Sequence, residues 1–171
     1  MTFFAPKKLQ GVVYELSHLT PFRFNVPVDE KIYVIRVEFT CHCFTAKLEP
    51  HHGLDVVYEH KSEKRAFDIQ RHELSKLLPD YIRGLVSNSV YWSNKGSFFF
   101  WRTPQNTAYL VFFSALKSRT KGIDVQIKIM SAHPKPQMAK YASPIDFTEL
   151  MKVKANGEFP EFGPKVQIKR K

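Results

Sequence analysis

The sequence predicts one α+β domain in which a mainly antiparallel sheet packs on a single major helix. Two patterns support this fold class. Between residues 69 and 86 apolar residues recur at the spacing of a helix, whereas the segments on either side alternate apolar and polar residues as strands do. The chain of 171 residues, 15 of them Phe, is long enough to bury one sizeable core.

Three segments before the helix are predicted to be strands: Gly11–Leu16, Lys31–Phe44 and Leu54–Glu59. The second is the most informative, because it runs into Cys41-His42-Cys43-Phe44-Thr45. Successive side chains of a strand point to opposite faces. The sequence therefore predicts that Cys41 and Cys43 face the core, whereas His42 lies on a half-polar, partly solvated face.

The major helix is predicted over Ile69–Val86, with Asp68 as its N-cap. Pro79 falls inside this segment and leaves two alternatives: a kinked helix, or two short helices with Pro79 at the first position of the second. In either case the residues expected to pack against the sheet form one apolar stripe, namely Leu74, Leu77, Leu78, Tyr81, Ile82 and Leu85.

The chain returns to strands after the helix. The predicted strands are Ser89–Ser93, Ser97–Arg102, Thr107–Leu116 and Ile123–Met130, and the short links between them favour an antiparallel meander. Beyond it, prolines interrupt regular structure. We expect residues 134–171 to form a basic tail that either wraps the domain of residues 1–133 or stays mobile.

The charge of the chain points to a polyanionic partner. It has 26 Lys and Arg against 16 Asp and Glu, a net charge of +10, so RNA or DNA is the expected ligand. Aromatic residues near Arg102 offer surfaces on which bases could stack. The candidate nucleic-acid contacts are Lys64, Arg102, Lys117, Arg119 and Lys121.

The sequence also bears on compartment. No apolar run is long enough to cross a membrane, and the first residues lack the order of a secretory signal, so we expect a cytoplasmic protein without a membrane partner. Cys41 and Cys43 lie two positions apart on a predicted strand, where a disulfide would strain the backbone. We therefore expect both to be reduced thiols.

We expect no metal ion and no other cofactor. A zinc site would have to combine Cys41 and Cys43 with two of His51, His52 and His60. Paired cysteine ligands of zinc are normally separated by two to four residues, whereas these two are separated by one. The spacing therefore argues against a zinc knuckle.

Several short motifs, among them Cys41-His42-Cys43-Phe44-Thr45, Leu78-Pro79 and Ser131-Ala132-His133-Pro134, resemble those of a group of bacterial proteins that are often carried on mobile elements and are labelled stationary-phase growth adaptation proteins. The family pattern prefers tyrosine where this chain has His72 and His133, so the resemblance gives neither histidine a role. The label names a phenotype rather than a chemistry. The matching residues fall between positions 9 and 136 and are Cys41-His42-Cys43-Phe44-Thr45, Arg65, Phe67, Arg71, Ser75, Leu78-Pro79, Tyr109, Val111-Phe112-Phe113 and Ser131-Ala132-His133-Pro134.

At the level of fold, a helix followed by a meander is also similar to the barnase, EndoU, colicin and RelE group of metal-independent ribonucleases. That resemblance implies RNA cleavage by a base, an acid and cations that stabilise the phosphate. The expected catalytic residues are His42 as base or acid, Arg65 and Arg71 as phosphate ligands, and Thr45 as a hydrogen-bonding group. The alternative is structural: both arginines would bind carboxylates or carbonyls of the protein itself, and Thr45 would simply end a strand.

Other enzyme classes are disfavoured, because the chain has no Gly-rich phosphate loop, no Gly-x-Ser-x-Gly elbow and no His-Glu-x-x-His motif. Three hypotheses remain. A cleft holding His42, Arg65 and Arg71 would favour a ribonuclease-like domain of the toxin type. Exposed aromatic rings beside basic residues would favour a non-catalytic nucleic-acid-binding module. A large apolar patch would favour a protein-interaction or inhibitor module of a mobile element.

Overall fold

The computed structural model describes residues 4–93, 99–102, 109–134 and 141–168, and for residues 99–102 it describes only the backbone. Within these ranges the chain forms four β-sheets and three short α-helices. The helices are α1 (Ile69–Ser75), α2 (Leu78–Arg83) and α3 (Phe147–Ala155). The strands are β1 (Lys7–Leu9), β2 (Val12–Tyr14), β3 (Phe22–Val28), β4 (Lys31–Phe39), β5 (Thr45–Ala46), β6 (Val57–His60), β7 (Glu63–Phe67), β8 (Ser89–Trp92), β9 (Phe99–Arg102), β10 (Tyr109–Lys117), β11 (Val125–Pro134), β12 (Tyr141–Ala142), β13 (Pro144–Asp146) and β14 (Val166–Gln167).

The predicted fold class is wrong. The protein is mostly β, and its helices are short rather than one major helix on a single sheet. The largest sheet has seven strands in the order β13-β8-β9-β10-β11-β4-β3. All of its neighbouring strands are antiparallel except β11 and β4, which run parallel with Val125 opposite Ile35 and Ile129 opposite Phe39. A second sheet, β5-β7-β6, lies beyond the end of β4.

The main core lies on one face of the seven-stranded sheet. Alternation along β4 and β11 buries Ile35, Val37, Ile127 and Ile129, and puts Arg36 and Gln126 on the opposite face, where they share a hydrogen bond of 3.3 Å. Two helical segments supply the other half of the core, α2 through Leu78 and Ile82, and α3 through Phe147, Leu150 and Met151.

Of the two alternatives predicted for the segment from residue 69 to 86, the structure has the two short helices. Asp68 caps the first, as predicted, because its Oδ1 accepts a hydrogen bond of 2.9 Å from the backbone N–H of Arg71. The first helix ends at Ser75, and Pro79 is the second residue of α2, where its missing N–H costs no helical hydrogen bond. The break turns Leu77 outward, leaving it 39% exposed, while Leu78 is fully buried.

The predicted strand Lys31–Phe44 is also too long. β4 ends at Phe39, and Thr40 makes the last bonds to β11: its N–H donates to the carbonyl of Ile129 (3.1 Å) and its Oγ1 to that of Met130 (2.7 Å). Cys41–Cys43 then forms a single 3₁₀ turn. The chain thereby leaves the large sheet and enters the small one.

The described C-terminal residues pack against the rest of the chain. β11 runs across the boundary predicted at residue 133, and β13 pairs with β8 at the edge of the large sheet. α3 then fills the core with Leu150 and Met151. Residues 141–168 are therefore part of the domain.

In the described part of the chain, no helix has both the length and the apolar character that a membrane crossing requires.

The two neighbouring leucines at the helix break give a matched test of the packing. Leu78→Ala should lower the free energy of unfolding by about 2 to 5 kcal/mol, the usual cost of truncating a fully buried leucine. Leu77→Ala removes the same atoms from a partly exposed position and should cost clearly less. Urea denaturation measures both, and equal losses in the two variants would contradict the assigned packing.

Candidate functional site

The turn after β4 and the small sheet bring most of the predicted catalytic residues into one group, which we call the Thr45 cluster. The 3₁₀ turn carries His42, and α1 supplies Arg71 from its first turn. β7 presents Glu63 and Arg65 on one face, because residues two positions apart in a strand point the same way. The tight turn between β6 and β7, with positive φ at Lys61 and Ser62, sets the register of that hairpin. The cluster consists of Cys41, His42, Thr45, Glu63, Arg65 and Arg71.

Glu63 is the residue of this cluster that the sequence did not single out. Its Oε1 lies 2.8 Å from Nε2 of His42 and 3.5 Å from a terminal nitrogen of Arg65. Partial burial raises the pKa of Glu63, but the hydrogen bond and charge of His42, with the charge of Arg65, outweigh that effect. The pKa of Glu63 therefore lies below its usual value and the carboxylate is ionised at neutral pH.

Both arginines bind the protein itself. Arg65 donates from Nε to the hydroxyl of Thr45 (2.8 Å), and Arg71 donates from a terminal nitrogen to the carbonyl of Thr45 (2.7 Å). The Thr45 hydroxyl in turn donates to the carbonyl of Cys41 (2.7 Å). Thr45 is fully buried, so it cannot contact a substrate as predicted. The contacts match the structural alternative, in which the arginines hold the start of β5.

The two cysteines are free, buried and unsuited to nucleophilic attack. Burial raises the pKa of Cys41, and the carboxylate of Glu63 raises it further. Burial raises the pKa of Cys43 to about 12. A thiol with a raised pKa carries little thiolate at neutral pH. Only Cys41 lies beside other metal-binding groups: its Sγ, a ring nitrogen of His42 and a carboxylate oxygen of Glu63 lie within 4.8 Å of one another.

A histidine–serine contact occurs elsewhere, between α1 and the turn before β3. Nε2 of His18 lies 2.7 Å from Oγ of Ser75, but that hydroxyl donates its one proton to the carbonyl of His72 (2.6 Å). It must therefore accept from His18, which cannot act as its base. Ser75 is also fully buried. The contact is structural.

This contact predicts a pH dependence of stability. Burial, with the nearby His72 and Lys76, lowers the pKa of His18 from 6.5 to about 4, although the charge of Glu73 opposes the shift. The unfolded chain takes up this proton at higher pH than the folded one, so acidification from pH 6.5 to about 4 favours unfolding. His18→Gln should flatten the dependence of melting temperature on pH in that window.

His51→Gln, which removes an exposed histidine, is the control and should retain the wild-type dependence. An unchanged profile in His18→Gln would show that His18 titrates freely.

A second candidate site is a cleft of about 660 Å³ between the β10–β11 turn and the end of α3, which we call the basic cleft. Lys117 and Arg119 lie on one side and Lys154 on the other, and Glu158 is the one acidic residue among those that line it. Lys117 and Arg119 are exposed and form no ion pair with the described residues. The cleft therefore presents positive charge to solvent. The remaining lining residues are Leu116, Ser118, Thr120, Gln126 and Gly157.

An exposed aromatic ring, that of Phe159, follows the end of α3 and lies next to Lys154 of this cleft. Gly157 has a φ of +75°, which lets the chain turn back after the helix, and its N–H donates to the carbonyl of Lys154 (2.9 Å). Phe159 follows the turn and is 62% exposed, with its ring 5.4 Å from that of Trp92. The ammonium of Lys154 lies 5.0 Å from the centroid of Phe159. Lys154 and Trp92 therefore contact the ring of Phe159, while most of the residue stays exposed.

The predicted nucleic-acid contacts are divided between several places. Lys117 and Arg119 lie in the basic cleft, and Lys121 is exposed on the same turn but does not line it. Lys64 is exposed on β7, away from the cleft. The side chain of Arg102, and those of the neighbouring aromatic residues 98–101, lie outside the described part of the chain. Sequence reasoning missed Lys154 and Phe159, although a Phe in a Pro- and Gly-containing segment after a helix was a signal of exposure.

Comparison with known proteins gives one match. The model of the YjaZ family matches residues 6–155, most of the chain. No curated protein and no solved structure matches this chain. The matched region contains the Thr45 cluster and most of the basic cleft, but ends before Phe159.

Proposed function

The chain belongs to the YjaZ family, and from its surface chemistry we propose that it binds single-stranded nucleic acid in the basic cleft without cleaving it. One observation carries the proposal: an exposed aromatic ring, Phe159, lies beside a cleft that presents Lys117 and Arg119 to solvent, and Lys154 of the same cleft lies over that ring. The net charge of +10 is consistent with a polyanionic ligand.

The cations of the cleft and the aromatic ring of Phe159 contribute differently to the proposed binding. The cations bind backbone phosphates and release counterions, which gives affinity that depends on salt but not on sequence. The ring of Phe159 offers a face for stacking, and a base can stack there only if it is not already stacked in a duplex. The ligand is therefore single-stranded, and the volume of the cleft suits one or two nucleotides.

Metal-independent RNA cleavage is not part of this proposal. It would need cations directed at a phosphate beside His42, and Arg65 and Arg71 instead donate to Thr45. The nearest partner of His42 is Glu63, whose ionised carboxylate would repel a phosphate.

We place this binding in the cytoplasm, as the sequence predicts. The buried, unpaired thiols of Cys41 and Cys43 suit a reducing compartment.

The cleft can be tested by its salt dependence. Wild-type protein should bind fluorescent oligouridine or oligothymidine, with log affinity falling linearly against log salt. Lys117→Ser combined with Arg119→Ser should reduce the slope by about 1.4, the contribution of two phosphate contacts to a single strand. Phe159→Leu should weaken binding by about 1 to 3 kcal/mol, the usual contribution of stacking, and leave the slope unchanged. Fluorescence anisotropy measures all three.

The matched control is Lys8→Ser combined with Lys64→Ser, which removes the same charge from exposed positions outside the cleft and should retain most of the slope. RNA recovered from the complexes in EDTA should be intact. Cleavage that is lost in His42→Ala would contradict binding without catalysis. No binding even at low salt would contradict the proposal and leave protein interaction as the alternative.

A further inference from the structure

The Thr45 cluster contains three metal-binding side chains that face one another. Sγ of Cys41 lies 3.9 Å from one carboxylate oxygen of Glu63, and Nε2 of His42 lies 2.8 Å from the other. All three ligand atoms fall within 4.8 Å of one another. From the geometry we infer that Cys41, His42 and Glu63 bind a divalent metal ion of the zinc type. This site is separate from the basic cleft and does not depend on it.

The distances suit a tetrahedral ion after small movements. Zinc bonds of about 2.3 Å to sulfur and about 2.0 Å to nitrogen and oxygen put neighbouring ligand atoms about 3.3 to 3.6 Å apart. The Cys41–Glu63 and His42–Glu63 distances of 3.9 and 2.8 Å differ from that range by about half an ångström. The Glu63 side chain is half-exposed and can rotate by this amount. The Sγ of Cys41 and the ring nitrogen of His42 lie within 4.8 Å of each other, and rotation of the partly exposed His42 side chain brings them to the separation that a shared ion requires.

The donor set favours zinc among the common cations. A thiolate is a soft ligand and an imidazole a borderline one, a combination that suits zinc and disfavours magnesium or calcium, which take oxygen ligands. Zinc binding displaces the thiol proton of Cys41 to solvent, so the ligand set contributes two negative charges. These balance the ion, and the Arg65 guanidinium, 3.5 Å from a carboxylate oxygen of Glu63, keeps its stronger hydrogen bond to Thr45 (2.8 Å) when the carboxylate turns to the ion.

The fourth position of such an ion would face solvent. The side chains of His42 and Glu63 are 35% and 47% exposed, whereas Cys41 is buried beneath them. Three protein ligands and one accessible position are the arrangement of zinc sites that bind water or a small ligand, rather than of closed structural sites. We therefore assign a three-ligand site with one exchangeable position.

The site can be tested with cobalt, which reports ligand type and geometry through its colour. Reduced, metal-free, full-length protein should bind one equivalent of Co²⁺ with the visible absorption of a tetrahedral ion and a near-ultraviolet band from thiolate to cobalt, and Zn²⁺ should remove both. Cys41→Ser should lose the near-ultraviolet band. Cys43→Ala is the matched control and should keep it, because the thiol of Cys43 points to the carbonyl of Ile129 instead.

A second pair of variants decides the outcome if Cys41→Ser does not fold. Glu63→Gln should weaken Co²⁺ binding by more than about tenfold, because even loss of an outer-shell partner costs 10- to 100-fold. Glu59→Gln removes an exposed carboxylate from the same hairpin and should have no effect. A cobalt spectrum without the thiolate band, or equal affinity in Glu63→Gln and wild type, would overturn the inference.

Discussion

The parallel pairing of β4 with β11 is the constraint on which the rest of the structure depends. It joins segments about ninety residues apart in the chain and is anchored at both ends by side chains. At one end the carboxylate of Asp124 accepts from the N–H of Val34 (2.7 Å), and at the other Thr40 donates to Met130 (2.7 Å). Because a parallel pair cannot be closed by a tight turn, the intervening chain must cross over, and it forms the small sheet and the first two helices as it does so.

This pairing also sets the positions of both candidate sites. The β10–β11 turn, which carries Lys117 and Arg119, lies at the beginning of β11, whereas the Thr45 cluster lies past the end of β4. The five paired positions from Val125 opposite Ile35 to Ile129 opposite Phe39 span about 13 Å at about 3.3 Å per residue, so the two sites lie at opposite ends of the pairing. The basic side chains of the two sites also differ in what they contact. Arg65 and Arg71 bind Thr45 inside the protein, while Lys117 and Arg119 of the cleft face solvent.

The sequence predicted local features better than long-range ones. Alternation located most strands, and Asp68 was recognised as a cap, because both signals lie within a few residues. The parallel pairing had no local signal, so the end of β4 at Phe39 and the turn at Cys41–Cys43 were missed. The spacing of Leu77 and Leu78 placed both on one apolar stripe, but the helix is interrupted between α1 and α2, and the two residues therefore differ in burial. His42, Arg65 and Arg71 were grouped in advance, but Glu63, 21 positions from His42, becomes a neighbour only through the β6–β7 hairpin.

We propose that nucleic acid binds in the basic cleft and not at the Thr45 cluster. Because the two sites are far apart, backbone NMR of the ¹⁵N-labelled protein titrated with a short oligouridine distinguishes them directly. Binding in the basic cleft predicts chemical-shift changes at residues 117–120 and 157–159, with residues 42–45 and 63–65 unchanged. Changes confined to residues 42–45 and 63–65 would contradict it.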